Sequence, residues 1–167
     1  FFIRKSGGMF AVAGTPKRIE NLDLEIVGLK PTALRDRHFG VAIDALKGTS
    51  SGVSAADIAT TIRLFADESA KASDFAKPGH VATLKSLDGG VLSRAGHTEA
   101  AVDLMRLAGM KTAGALCTVM SPDGSIGHLS YIREFAEKYD LRIISILDLI
   151  AYRRTREKLV ECVASVK

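Results

Sequence analysis

Short apolar runs alternate with amphipathic segments along this chain, the pattern of an α/β or α+β domain. Residues 9–13 read as a strand closed by Gly14, and Thr15-Pro16 opens a short helix with proline in its favoured first-turn place. Residues 25–37 read as a connection. A second strand follows at 39–43, then a polar loop, Gly-Thr-Ser-Ser-Gly, over 48–52. Ser54 caps the next helix, with Asp57 three residues on, close to a capping box. That helix runs to about Ala66 and puts Ile58, Ile62 and Phe65 on one face.

Residues 70–80, with Pro78-Gly79-His80, read as a loop before a short strand at 81–84. Gly89-Gly90 turns the chain toward Val91-Leu92. Ala101, Leu104, Met105 and Ala108 then recur at helical spacing, and Gly109 ends that helix. A strand at 113–120, a Pro122-Asp123-Gly124 turn, a helix at 129–139, a strand at 143–146 and a last helix from about Asp148 complete the pattern.

Length and composition narrow the class. The 167 residues suit one domain with a sizeable core, and 47% apolar with 25% charged residues is ordinary for a globular protein. No apolar run is long enough to span a bilayer, which argues against a membrane protein. The first residues lack the pattern of a signal peptide, and the chain opens on Phe1, as a fragment or processed chain does. The net charge of +4 is mild, and only Arg153, Arg154, Arg156 and Lys158 cluster. With three Tyr and no Trp to stack bases, nucleic acid is a poor partner, and a small anion fits better. Cys117 and Cys162 lack metal-ligand spacing, which suggests a reducing, cytoplasmic location.

The candidate chemistry concentrates in Ser-Arg-Ala-Gly-His-Thr-Glu-Ala, residues 93–100. Thr98 is expected at the helix N-cap, where free amides and the helix dipole favour an anion. Arg94 adds a bidentate donor for phosphate or carboxylate, Gly96 permits close backbone approach, and His97 suits a metal or a proton near neutral pH. The Thr49-Ser50-Ser51-Gly52 loop, also before a helix, reads as a second anion cradle. Each residue taken singly has a bland reading: a cap, a solvated arginine, a structural histidine. Two glycine-bearing helix starts with Arg and His together suggest a phosphate site.

These runs resemble a known family. Pro78-Gly79-His80, the stretch from Gly89 to Leu104, Gly52-Val53-Ser54-Ala55-Ala56-Asp57 with Ala59-Thr60-Thr61-Ile62, and Asp148-Leu149-Ile150-Ala151-Tyr152-Arg153-Arg154 closely resemble the 3,4-dihydroxy-2-butanone 4-phosphate synthases of riboflavin biosynthesis. The resemblance covers nearly the whole chain. It implies an α/β (α+β) layered single domain around a mixed sheet flanked by helices. It implies a lyase that converts ribulose 5-phosphate into 3,4-dihydroxy-2-butanone 4-phosphate and formate, with Mg²⁺ or Mn²⁺, as a homodimer with sites at the interface. Carried over by position, His97 matches the family's metal-binding histidine, and Arg94 and Thr98 match its substrate-binding Arg and Thr. Ser50 and Ser51 stand at its Thr-Thr pair before Gly52, and His80 and Asp57 also match.

The same resemblance exposes departures. The family's first strand and acidic loop, which supply a further metal ligand, precede the point where this sequence begins. Thr118, after Cys117, stands where the family has a glutamate thought to act as acid and base. A threonine hydroxyl does not ionise near neutral pH, and general acid–base groups contribute ~10²–10⁴-fold. Gly124-Ser125-Ile126-Gly127-His128 replaces Gly-Thr-Met-Ala-Arg, and Ile58 replaces an arginine. These changes fall on the chemistry while the scaffold runs are kept. They set up an alternative, a diverged paralogue that binds a sugar phosphate without the standard reaction. Residues 157–164 resemble the junction that leads into a GTP cyclohydrolase II domain in fused members, or equally an amphipathic helix end with Leu159 and Val163 on one face.

Overall fold

A computed structural model describes residues 1–27 and 38–157. Four strands form one sheet in the order β2-β3-β1-β4: β1 (Gly7–Gly14), β2 (Phe39–Ala45), β3 (Phe75–Lys85) and β4 (Ala113–Val119). β1 runs parallel to β3, while β4 pairs antiparallel with β1 and β2 antiparallel with β3. The sheet is therefore mixed, as the family resemblance implies. The helices are α1 (Phe2–Lys5), α2 (Pro16–Asn21), α3 (Ala55–Ala66), α4 (His97–Leu107), α5 (Leu129–Lys138) and α6 (Ile146–Arg156).

Strand alternation sends Val12, Ile43 and Val81 to one face, where they form a core with Ile19 and Leu22 around α2 and Phe65 of α3. Phe65 is fully buried, with Ile58 and Ile62 packed beside it, so the predicted apolar face of α3 is observed. Ala11, Ala13, Leu84 and Leu116 line the other face, which α4 covers through Ala101 and Val102. Gly114 lets α4 approach, since a Cβ there would sit 2.8 Å from that of Ala101. A smaller cluster of Val91, Ala100 and Leu149 joins α4 to α6.

Three expectations change. Residues 70–80 are not all loop: β3 starts at Phe75, because Ala76 and Phe75 continue the ladder against Asp44 and Ala45 of β2. Residues 143–146 are not a strand. Ile143 and Ile144 are exposed, and Ser145 with Asp148 forms a capping box that starts α6 at Ile146. The helix expected from Ala101, Leu104, Met105 and Ala108 is present as α4, but its buried residues are largely others. Leu104 is exposed, and the helix buries Glu99, Ala100, Val102 and Asp103. The two buried acids are retained because each meets an arginine. Residues 28–37, part of the predicted connection, and Lys158, Leu159, Cys162 and Val163 lie outside the described residues.

Candidate functional site

The N-terminus of α4 carries the Arg-Ala-Gly-His-Thr-Glu run. Its N-cap is Gly96, in extended conformation, and no side chain caps this end. Thr98 therefore sits inside the first turn, not at the cap as the sequence suggested. Gly96 owes its place to crowding, since a Cβ would lie 2.5 Å from Glu99 Oε2. Without a capping side chain, the first amides and the positive end of the helix dipole favour an anionic ligand.

Glu99 is fully buried. Its Oε1 accepts from Arg94 Nη2 at 2.7 Å and from the Leu87 amide at 3.0 Å, and its Oε2 accepts from Arg94 Nε at 3.0 Å. One turn on, Asp103 Oδ2 accepts from the Val91 amide and from Arg153 Nη1 of α6, both at 2.8 Å. Arg153 also donates to the Gly89 carbonyl at 2.6 Å and to both carboxylate oxygens of Glu157. Two buried acids of α4 thus clamp the 87–94 segment. Gly90 must be glycine there: its φ is +62°, and a Cβ would strike the Asp103 carboxylate. Arg153, counted in the basic cluster of the sequence, is an internal strut only 4% exposed.

The second expected cradle is already filled. The amides of Ser50 and Gly52 donate to the Asp57 carboxylate, both at 3.1 Å, and the Ser50 hydroxyl donates to it at 2.9 Å. Ser54 Oγ accepts from the Asp57 amide at 3.0 Å, but the Asp57 carboxylate faces the loop, so the capping box is not closed. Asp57 is thus the internal anion of the 50–52 turn, and Ser51 stays exposed. The Ser50 hydroxyl and amide, the largest causes, hold the Asp57 carboxyl below the usual carboxylate range.

A carboxyl lowered by folding stabilises above its unfolded pKa of ~3.9 and loses that contribution as pH falls through the lower folded value. Asp57→Asn is therefore expected to reduce stability at pH 7 and to flatten the loss of stability below about pH 4. Urea unfolding across pH checks this, and an unchanged acid slope would contradict it.

Beside this turn lies a pair that sequence reasoning missed in part. Asp44 Oδ2 lies 2.6 Å from His80 Nδ1, and Asp44 Oδ1 accepts from the His80 amide at 3.0 Å. A carboxylate only accepts, so Nδ1 donates and Nε2 is the ring nitrogen left to take a proton. A Cβ on Gly52 would strike Asp44 Oδ2 and come within 2.7 Å of His80 Nδ1, so Gly52 is the close lid over the pair. Asp44 is recognisable only as the alternate residue after the core-facing Ile43. Nothing in its spacing names His80, 36 residues on.

The strand directions bring these groups to one end of the sheet. Ala11 pairs with Ala82 on β3 and with Leu116 on β4. Thr118 lies two residues beyond Leu116 on the same face of β4, and His80 lies two residues before Ala82, beside the irregularity in the ladder between Ile43 and Asp44. Leu116 and His97 line one cleft of about 520 Å³ with Ala101, Ile144 and Leu149. His97 and Thr118 are exposed, and Gly8 of β1 packs against Thr118. Burial pushes the neighbouring Cys117 thiol up, away from nucleophile duty. Among the described residues, no three His, Cys, Asp or Glu side chains gather as a metal site, so His97 has no partner ligands there. Hard cations such as Mg²⁺ prefer several oxygen donors, which these residues do not provide.

Comparisons with known proteins converge on one family. The family model described as 3,4-dihydroxy-2-butanone 4-phosphate synthase matches residues 1–152. The chain is 50% identical over 167 residues to the riboflavin biosynthesis protein RibBA of Aquifex aeolicus, covering 98% of this chain and 41% of that protein. It is 45% identical over 174 residues to RibBA of Nocardia farcinica, covering 100% and 41%. The chain thus spans about two fifths of the length of these curated relatives.

Among solved structures, RibBX, a two-domain 3,4-dihydroxy-2-butanone 4-phosphate synthase from A. baumannii, matches with a TM-score of 0.88 and 36% identity, over 95% of this chain and 46% of that one. A 3,4-dihydroxy-2-butanone 4-phosphate synthase in complex with two magnesium ions matches with a TM-score of 0.86 and 31% identity, over 92% and 77%. Sequence and fold converge, and this chain belongs to the 3,4-dihydroxy-2-butanone 4-phosphate synthase family.

Proposed function

We propose that this chain converts ribulose 5-phosphate into 3,4-dihydroxy-2-butanone 4-phosphate and formate, a lyase step of riboflavin biosynthesis in the cytoplasm. The observation that carries this reading is the Arg94-to-Thr98 run at the uncapped start of α4, within a family match over residues 1–152. A phosphate dianion suits that end, where Arg94 and the first-turn amides supply donors. Thr98 and Ser51 add hydroxyls, and His80, with Nδ1 held by Asp44, offers Nε2 as a proton acceptor for abstraction next to a carbonyl.

A solved relative carries two magnesium ions by its description. In this chain His97 is the residue proposed to face Mg²⁺ or Mn²⁺. The described residues do not complete a shell around such an ion.

We also read the chain as a homodimer with its sites near the interface. The support is the exposed apolar rim of Ile143, Ile144 and Leu147 beside the cleft that His97 lines. Sedimentation velocity checks this, with a twofold mass expected. Nucleic acid and membrane have no role in this reading, and no described helix is long and apolar enough to cross a membrane.

The central test is formate release from ribulose 5-phosphate by the full-length protein in Mg²⁺ buffer. Formate is expected, at a rate that falls on the order of 10²-fold or more in His97→Ala. A folded protein that binds the sugar phosphate but releases no formate would refute the synthase reading.

A further inference from the structure

The Asp44–His80 pair spans an irregularity in the sheet. Asp44 pairs with Ala76 and the preceding Ile43 with Val81, so residues 77–80 of β3 intervene between two successive ladder pairs. The Asp44 carboxylate bridges this place: Oδ1 accepts from the His80 amide at 3.0 Å, and Oδ2 meets the ring at Nδ1, 2.6 Å away. Two glycines make the room. A Cβ on Gly79 would strike the backbone of Ile43 and Asp44, and one on Gly52 would strike Asp44 Oδ2 and lie 2.7 Å from His80 Nδ1. The Asp44 side chain is 14% exposed and that of His80 51%, so the ring is gripped at one nitrogen while half of it faces solvent.

A neutral histidine in water favours its proton on Nε2. A carboxylate at Nδ1 reverses that preference, because it can only accept. We infer that Asp44 is a positioning residue for the reaction: it keeps the His80 proton on Nδ1 and the ring in one orientation, so that Nε2 is the nitrogen that takes a proton from the substrate. Asp44 acts through His80 and takes no proton itself. The inference rests on the reading of His80 as the proton acceptor and adds the residue that makes it one.

The bond to the His80 amide also serves the fold, and asparagine separates the two roles. In Asp44→Asn, Oδ1 still accepts from the amide, which turns Nδ2 toward the ring. Nδ2 is a donor, so Nδ1 must accept and the ring proton moves to Nε2. The corresponding change in a Ser-His-Asp triad leaves the geometry intact and lowers kcat about 10⁴-fold through the wrong tautomer.

The test pairs ¹⁵N spectra of the neutral His80 ring with formate release by the full-length protein. The wild type is expected to carry its proton on Nδ1 and Asp44→Asn on Nε2, with little change in melting temperature. In Asp44→Asn, kcat for formate release from ribulose 5-phosphate is expected to fall roughly 10²–10⁴-fold while KM changes less than about threefold. A wild-type ring protonated at Nε2 would overturn the inference, and that spectrum decides even where Asp44→Asn does not fold. A moved proton with an unaltered kcat would overturn it too. If the wild type releases no formate, exchange of a carbon-bound proton of ribulose 5-phosphate with deuterated water reads the same transfer. Exchange that collapses in Asp44→Asn upholds the inference while the synthase reading fails, and no exchange in the wild type overturns both.

Discussion

Arg153→Ala should lower the stability of this chain by about 3–5 kcal/mol, the largest loss expected from one substitution. The reason is the charge left behind. Asp103 is only 4% exposed, and without Arg153 its remaining partners are the Val91 amide and Arg106 Nη2, 3.5 Å from Oδ1. The Gly89 carbonyl loses a donor at the same time, and Glu157 loses both of its bonds from Arg153. For a chain of this length the loss corresponds to a fall of roughly 6–20 °C in Tm.

Replacing both members, as Arg153→Met with Asp103→Leu, should cost less than the single change, because no charge is then stranded. Thermal and urea unfolding check both. A loss below about 1 kcal/mol for Arg153→Ala would mean that Arg106 neutralises Asp103 unaided.

Thr118→Glu should raise the rate of formate release by on the order of 10²-fold or more, the contribution expected of a general acid–base group. Thr118 is exposed on the α4 side of the sheet end, so a longer side chain has room without disturbing the core. Leu116, two residues back on the same face, lines the cleft with His97. The comparison needs single-turnover rates with saturating ribulose 5-phosphate for both proteins. A rise places the limit on the missing carboxylate. An unchanged rate in a folded variant means that another side chain already performs that proton transfer.

Much of the fold was readable in the residues. The apolar runs of β1, β2 and β4, the Ser54 start of α3 and its Ile58, Ile62, Phe65 face follow from local periodicity and capping chemistry, which need no distant partner. The extent of β3 was not, because residues 75–80 carry a proline and a glycine. Only the neighbouring β2 strand makes them part of the ladder. The α4 helix itself was legible, but its buried face was not, for a similar reason. Periodicity counts apolar residues, whereas this helix buries two acids, each tolerated there because an arginine and a backbone amide meet it.

The sequence alone determined the family, the mixed α/β character and the short run from Arg94 to Thr98 on which the proposed phosphate site rests, because such motifs are local and specific. Tertiary structure alone decided which groups are partners. Asp57 fills the turn that looked like an open anion cradle, Asp44 holds His80 from another strand, and Glu99 and Asp103 each take an arginine and a backbone amide of the 87–94 segment. Those pairings depend on strand order and helix placement. Contacts between residues 36 and 50 positions apart, as Asp44 with His80 and Asp103 with Arg153, leave no trace in spacing.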